Sequence, residues 1–413
     1  MKKYILIVLV VIIGSQAAFN QQPRIDKGVM IEHKNETWDS MKVHIEKFEK
    51  KEKPKKKRFM LDFSNIKVPD NLDGFKSVWH HEPVKQASTG TCWCFAATSF
   101  FESELKRIHN KEIKLSEMHT VWYQYVEKAR RFITERGDSE FGEGSQTNAV
   151  MAMWKEYGCV PNEIYNGMLP GQEYHNHSKM FGEMKSYLEF CKTNNIWNEQ
   201  QVLDNIKSIL NKYMGEPPTE FTWNGKKYTP KTFRDEVVKL NPDDYVDMMS
   251  LYEQGFGKKT IYDVPDNWWK SHDYYNVAVS DFMSGLRSAI RNGYSMTLSG
   301  DVSEAGIYSY ADAAVVPSFD IPAAYIDDNA RQFRFSNGST GDDHAIHLCG
   351  WFENESGTWY LIKDSGSGAN NGKFKGYYLF HEDYIKLKMT CFLVHKDAIK
   401  DILKNFDSQS RFE

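Results

Sequence analysis

The chain has 413 residues, more than one ordinary domain of about 100–200 residues needs, and it is 41% apolar, 14% aromatic and 26% charged. That composition fits a folded globular protein and excludes a disordered chain, a short disulfide scaffold and a membrane channel. With 52 basic against 56 acidic side chains the formal charge is -4, too balanced for the basic bias of a nucleic-acid binder, so no nucleic-acid partner is expected.

At the N-terminus, Lys2 and Lys3 precede an apolar run from Tyr4 to Ile13 and the small residues of Gly14-Ser15-Gln16-Ala17-Ala18. Basic flank, short apolar stretch and small residues read as a cleaved signal peptide over 1–18. The run is roughly half the 20 apolar residues that span a bilayer. No cysteine precedes Cys92, so the expectation is a periplasmic or secreted chain with neither a lipid nor a stable membrane anchor. In an oxidising compartment the six cysteines could pair in about 15 ways, and a core this large does not need them, so buried free thiols are the simplest reading. Residues 19–58 are polar and end in a lysine-rich run from Lys50 to Arg58, expected to be a solvated charged arm.

From Phe59 the composition turns globular, and 59–413 reads as the folded domain. Apolar residues at helical spacing from Thr91 to Asn110 predict a buried helix entered through a Ser-Thr-Gly turn. A second helix is expected over Leu115–Arg136 with Ser116 as its N-cap, and Gly142–Tyr157 reads as a loop feeding a third. The charge-rich stretch of about 170–273, with helical patterns near Gly182–Cys191 and Glu199–Tyr213, reads as a largely helical insertion. After a short helix from Asp281 to Asn292, strand patterns follow at Tyr294–Ser299, Ala345–Phe352, Trp359–Lys363, Gly376–Phe380 and Thr390–His395. Helices first and strands later give an α+β fold of two lobes, helical over about 75–165 and antiparallel β over about 281–400.

One constellation could carry chemistry. Gln86-Ala-Ser-Thr-Gly-Thr-Cys92-Trp-Cys-Phe-Ala places an amide, a turn and then a cysteine at the start of an apolar helix. There the unpaired N–H groups and the helix dipole favour thiolate, the nucleophilic form. The same N–H groups, with Gln86, could hold the oxyanion of a tetrahedral intermediate. A nucleophilic cysteine needs a base, and His344 stands where the loop Gly341-Asp-Asp343 enters a strand. Asp364, at the end of the next strand, would come beside His344 if the two strands pair, fixing the ring tautomer and stabilising the imidazolium. Cys92-x-Cys94 and His344-x-x-His347 also offer metal-ligand types. They lack a His-Glu-x-x-His helix or a Cys-x-x-Cys pair, and positions three apart on a strand point to opposite faces. No metal or other cofactor is expected.

These segments resemble a known family. Gln86-x-x-x-Gly90-x-Cys92-Trp93-x-Phe95-Ala96 is similar to the active-site segment of papain-like cysteine peptidases, and Asp343-His344-Ala345 with the strand Trp359–Ser365 resembles their histidine and asparagine segments. Gly142–Val150, Lys155–Pro161 and Lys375–Tyr384 look like the branch that holds bleomycin hydrolase and bacterial aminopeptidase C. The resemblance implies a papain-like fold, a helical lobe carrying the cysteine against a barrel-like β lobe carrying the histidine, with the substrate between them. It implies Cys92, His344, Asp364 and Gln86 as catalytic residues and Gly90, Trp93 and Asp343 as substrate-binding ones. It also implies a peptide or protein substrate, aminopeptidase action and a homo-oligomer. Three departures stand out: Asp364-Ser365-Gly366 replaces the usual Asn-Ser-Trp, Asp401–Glu413 does not match the tail that in this branch lies in the cleft and restricts it to free N-termini, and the branch is usually cytoplasmic whereas this chain reads as carrying a leader. The first motivates an alternative, an impaired papain-like protein that binds peptides without turnover.

Overall fold

The computed structural model describes residues 34–50 and 57–409. The expected leader, residues 1–18, lies outside the described residues, as does Lys51–Lys56 within the lysine-rich run. The chain divides after Lys57. Before that point, the described part of the presumed arm is a regular helix, α1 (Glu36–Glu49), capped by Asn35, whose Oδ1 accepts from the Trp38 N–H at 2.9 Å. None of its residues is buried.

The second unit, Arg58–Glu413, holds the core. Helix α2 (Cys92–His109) is buried on nearly every side through its first three turns, from Trp93 to Leu105. It ends at Asn110, whose left-handed backbone (φ 54°) closes the last turn, a conformation that Asn tolerates better than most residues. Helix α3 (Glu117–Thr134) starts at Ser116, whose hydroxyl accepts from the His119 N–H as an N-cap should. Helices α4 (Ala149–Tyr157), α5 (Ser178–Thr193) and α6 (Glu199–Met214) complete the helical lobe. Trp93, Phe100, Phe101, Trp122, Tyr125 and Trp154 fill its interior.

The β lobe is one sheet of 11 strands among the described residues. Its centre is β7 (Met296–Gly300), β10 (His344–Asn354), β11 (Gly357–Lys363) and β13 (Met389–His395), all paired antiparallel. Strand β12 (Tyr377–His381) extends it beyond β11, and β1 (Lys76–Ser77) pairs with β10. The sheet is mixed rather than purely antiparallel as expected: β12 runs parallel to β9 (Ala313–Ala314), and β4 (Tyr245–Met249) parallel to β6 (Tyr274–Asn276). A second difference concerns the insertion. Only its first part is helical; β4, β5 (Lys258–Thr260) and β6 join the sheet beside β13, so the stretch from Tyr245 onward belongs to the β lobe. Period-two alternation did not reveal these strands because they are short and irregularly spaced.

Alternation along β10 builds the contact between the lobes. Ala345 packs with the helical lobe, and His347 Nδ1 meets Ser99 Oγ of α2 at 2.9 Å. Ile346 and Leu348 face the other way, onto Phe282, Leu286 and Ile290 of α8 (Val279–Arg291), as a pleated strand requires. Helix α7 (Pro230–Phe233) lies on the helical side.

Gly300 fixes where β10 begins. It pairs with His344 on one side and Met389 on the other. A Cβ there would fall 2.3 Å from the Lys388 carbonyl oxygen and 2.7 Å from Met389 Cα, so only glycine lets β7 and β13 close up. Gly300→Ala is expected to destabilise the domain by about 1–3 kcal/mol through overpacking against backbone, read as a lower urea midpoint. An unchanged midpoint would mean that the two strands part freely at this point.

Candidate active site

The Gln86–Thr91 turn and the start of α2 are built by local hydrogen bonds. Gln86 Nε2 donates to the Thr89 carbonyl (2.8 Å), and Thr89 Oγ1 donates back to the Gln86 carbonyl (3.0 Å). Between them Ala87 adopts φ 56°, a left-handed conformation costing an alanine roughly 1–2 kcal/mol. The neighbouring chain holds it there: Ser88 exchanges backbone bonds with His175 and His177. Cys92 then opens α2 with no side chain capping the first turn, which leaves N–H groups free at the helix start, beside the thiol. Cys92 is partly exposed; the other five cysteines are buried, and all six are free thiols.

Pairing of β10 with β11 brings the other half of the site together. His344 is the first residue of β10, and Asp364 directly follows β11. His344 Nε2–H donates to Asp364 Oδ1 at 2.8 Å, with 12% and 8% of the two side chains exposed. That leaves Nδ1 clear of the carboxylate, and the Cys92 sulfur is near enough to favour a charge on the ring. Burial opposes the charge on His344. The Asp364 carboxylate and the Cys92 sulfur outweigh it and hold the ring's pKa well above that of an ordinary imidazole. Asp364 moves the opposite way: burial raises its pKa, but His344 and the N–H groups of Gly366 and Ser365 carry it below the usual carboxylate range. The Gly366 N–H lies 2.8 Å from Asp364 Oδ1. An acid in the family's asparagine position therefore sits here as the anionic partner of a charged ring.

Ser365 carries a role that the residue pattern did not assign. Its Oγ–H donates to Gln86 Oε1 at 2.8 Å, and its carbonyl accepts the Gln86 N–H at 3.0 Å. The amide is thus oriented with one Nε2–H on Thr89 and the other unspent. The only signal in the sequence was adjacency to Asp364.

The three expected substrate-binding residues fall differently. Trp93 is 1% exposed and its Nε1–H donates to the Glu143 carbonyl (3.2 Å), so it offers substrate no face and instead pins the Gly142–Gln146 loop; its apolar helical neighbours conceal this from a motif. The Gly90 N–H is taken by Glu143 Oε2 at 2.6 Å. Asp343 is exposed, and its Oδ1 accepts the Val302 N–H at 2.9 Å. Cys94 and His347 lie in separate environments: the Cys94 thiol donates to the Glu117 carbonyl (3.3 Å), and His347 is the link to Ser99.

Further carboxylates gather along the same loop. Lys128 anchors it, Nζ donating to the carbonyls of Gly142 and Gly144, and burial lowers that amine's pKa to about 8. Asp266 lies against Gly144 so closely that a Cβ there would stand 2.4 Å from its oxygens. Gln146 Nε2 donates to Asp342 Oδ2. Burial and the charge of Asp266 push the Asp342 pKa to about 8. The loop thus links the Cys92 turn, through Glu143, to the approach of His344, through Asp342.

With this geometry in place, the comparisons with known proteins acquire meaning. Residues 63–411 match the model of the Peptidase C1-like family. The chain belongs to that family. It is similar to Aminopeptidase C of Streptococcus thermophilus, 22% identical over 371 residues, which span 77% of this chain and 81% of the relative. Aminopeptidase C of Lactococcus lactis subsp. lactis is 21% identical over 80% of this chain and 84% of its own length. A mitochondrial cysteine proteinase 1 of Saccharomyces cerevisiae is 24% identical over 42% of this chain and 45% of its own. Among solved structures, PepW of Lactobacillus rhamnosis shares the fold, with a TM-score of 0.63 and 17% identity over 80% of this chain and 84% of that one. This is a papain-like cysteine peptidase of the bleomycin hydrolase and aminopeptidase C branch.

The relatives also correct one expectation. The apolar run near the N-terminus read as an export signal to a periplasm or the cell exterior, yet the relatives are aminopeptidases C and a proteinase named as mitochondrial, and the secreted location is not upheld. A basic, apolar, small-residue sequence satisfies composition rules alone, and composition does not name a compartment. Among the described residues, no helix is long and apolar enough to cross a membrane.

If Ser365 orients Gln86, Ser365→Ala should lower kcat about 10-fold while leaving the fold intact. Gln86→Ala should lower it by about 10²–10³-fold, the usual cost of one oxyanion donor. A Ser365→Ala enzyme with wild-type kcat would show that the amide is held without the serine.

Proposed function

We propose that this peptidase hydrolyses peptide bonds through a thioester on Cys92 and that it acts as an aminopeptidase. The observation that carries the mechanism is the enclosed His344–Asp364 hydrogen bond, with the Cys92 sulfur near enough to favour the charged ring. The thiol proton rests on His344, and the thiolate attacks the substrate carbonyl carbon. The resulting oxyanion is held by the Cys92 N–H and by the unspent Nε2–H of Gln86. His344 passes its proton to the leaving nitrogen as the C–N bond breaks. It next takes a proton from water, whose oxygen attacks the thioester carbon and expels the Cys92 thiolate. Asp364 holds the ring and its charge through both halves.

Two observations support the aminopeptidase reading. Relatives that align over most of their length bear that name, and the loop joining the Cys92 turn to His344 is flanked by Asp266 and Asp342, half-buried carboxyl groups whose negative charges oppose each other. A free α-ammonium entering there would relieve the repulsion, as a charge-complementary ligand does. Capture without turnover is the second reading, motivated by Asp364 and Gly366. The bond from Asp364 to His344 favours turnover over it.

The test compares amino-acyl anilides with free and acetylated N-termini. Cleavage of the free form with at least about 10-fold higher kcat/KM is expected, together with a further loss of about 10-fold on the free form alone in Asp266→Asn. Cys92→Ala should lack activity on both. Equal rates on the two forms would overturn the aminopeptidase reading. Peptide binding with no cleavage by the folded, reduced wild type would make capture the function.

A further inference from the structure

The peptidase mechanism uses neither helix α1 (Glu36–Glu49) nor the lysines that follow it. The helix is amphipathic. Trp38, Met41, Ile45 and Phe48 stand three, four and three residues apart, a spacing that gathers them on one face. That face is bare: Trp38 is 55% exposed, Met41 53%, Ile45 47% and Phe48 93%. Glu36, Asp39, Val43, Glu46 and Lys47 fall on the opposite side by the same spacing, and Lys42 and Glu49 border the stripe.

The helix itself is weakly acidic, and the chain after it reverses that balance. Lys50-Lys51-Glu52-Lys53-Pro54-Lys55-Lys56-Lys57 sets six lysines against one acid in a chain whose formal charge is -4. An apolar stripe and a block of positive charge therefore lie next to each other in the sequence. A nucleic acid would meet the lysines and leave the stripe in water, and an apolar partner would meet the stripe and leave the lysines without counter-charge.

An anionic bilayer surface answers both. Its acyl boundary accepts the apolar face, with Trp38 and Phe48 as aromatic residues suited to that depth, and its phosphate and carboxylate headgroups attract the lysines. With 14 residues the helix is about 21 Å long, shorter than the roughly 30 Å hydrocarbon core, so it would lie along the surface and not span it. We propose that α1 and the lysines after it dock this peptidase reversibly on an anionic lipid surface.

The test is co-sedimentation of the full chain with vesicles of phosphatidylcholine, either alone or with about 30% phosphatidylserine. The bound fraction is expected to be at least about 10-fold higher on the anionic vesicles and to fall as added salt screens the lysines. Trp38→Glu combined with Phe48→Glu should abolish sedimentation. Lys47→Gln, Lys50→Gln and Lys57→Gln together should reduce it about 10-fold. Both variants should hydrolyse anilides in solution as the wild type does, which shows the peptidase domain folded. A wild type that does not sediment overturns the proposal. Equal sedimentation with the two kinds of vesicle also overturns it and assigns the binding to apolar residues such as the Tyr4–Ile13 run. Undiminished sedimentation of the Trp38 and Phe48 variant would leave the lysines as a contact for any polyanion. A larger particle in lipid-free solution that this variant disperses would pair α1 with a second copy. Either result overturns the lipid reading.

Discussion

A charged hydrogen bond largely withdrawn from bulk water organises this protein's site. His344 and Asp364 are each almost wholly enclosed, and in such surroundings neither charge is tolerable without the other. The pair is therefore a constraint on everything around it: β10 and β11 must be in register, β7 must close against β13 at Gly300, and the loop after β11 must turn so that two of its N–H groups reach Asp364. With asparagine the ring would be positioned without being charged by its partner. With aspartate the chain keeps the imidazolium form through electrostatics as well as geometry.

The cysteine half depends on a different resource, backbone donors. Cys92 stands at the uncapped start of α2, reached through a turn that holds Ala87 in a left-handed conformation. Strain of this kind persists only where the surroundings over-determine it. Here they do: Thr89, Ser365 and the His175–His177 segment each bond to the turn. Ser365 spans the two halves, since one side of it follows Asp364 and the other orients Gln86. The lobes are further joined where His347 meets Ser99, an uncharged contact because burial lowers the His347 pKa well below its ordinary value.

The sequence made the chemistry legible before the architecture. Cys92, His344, Asp364 and Gln86 could be paired on paper because each lies at a junction, a helix start or a strand end, where local patterns are strongest. The long helices were legible too, since α2 and α3 bury most of their surface and end at recognisable caps. What stayed hidden has physical causes. Strands β4 to β6 are three to five residues long and acquire their identity only from pairing beside β13, a contact some 140 residues away in sequence for Met249 and Cys391. Trp93 read as a substrate contact because it adjoins Cys92, but its indole is spent on the Glu143 loop. The gathering of Asp266 and Asp342 joins residues from an elaboration and a strand approach, a proximity no spacing rule encodes.

The account turns on whether Asp364 keeps His344 charged, and the most direct measurement is a nitrogen-15 NMR titration of the His344 ring in histidine-labelled protein, wild type and Asp364→Asn. A histidine whose folded pKa is raised keeps its proton at neutral pH and releases it only as pH climbs through that raised value. The account predicts an imidazolium signal persisting through neutral pH in the wild type, with the transition moved to lower pH in Asp364→Asn. A wild-type ring that titrates near the ordinary value of about 6.5, unchanged by the substitution, would contradict it.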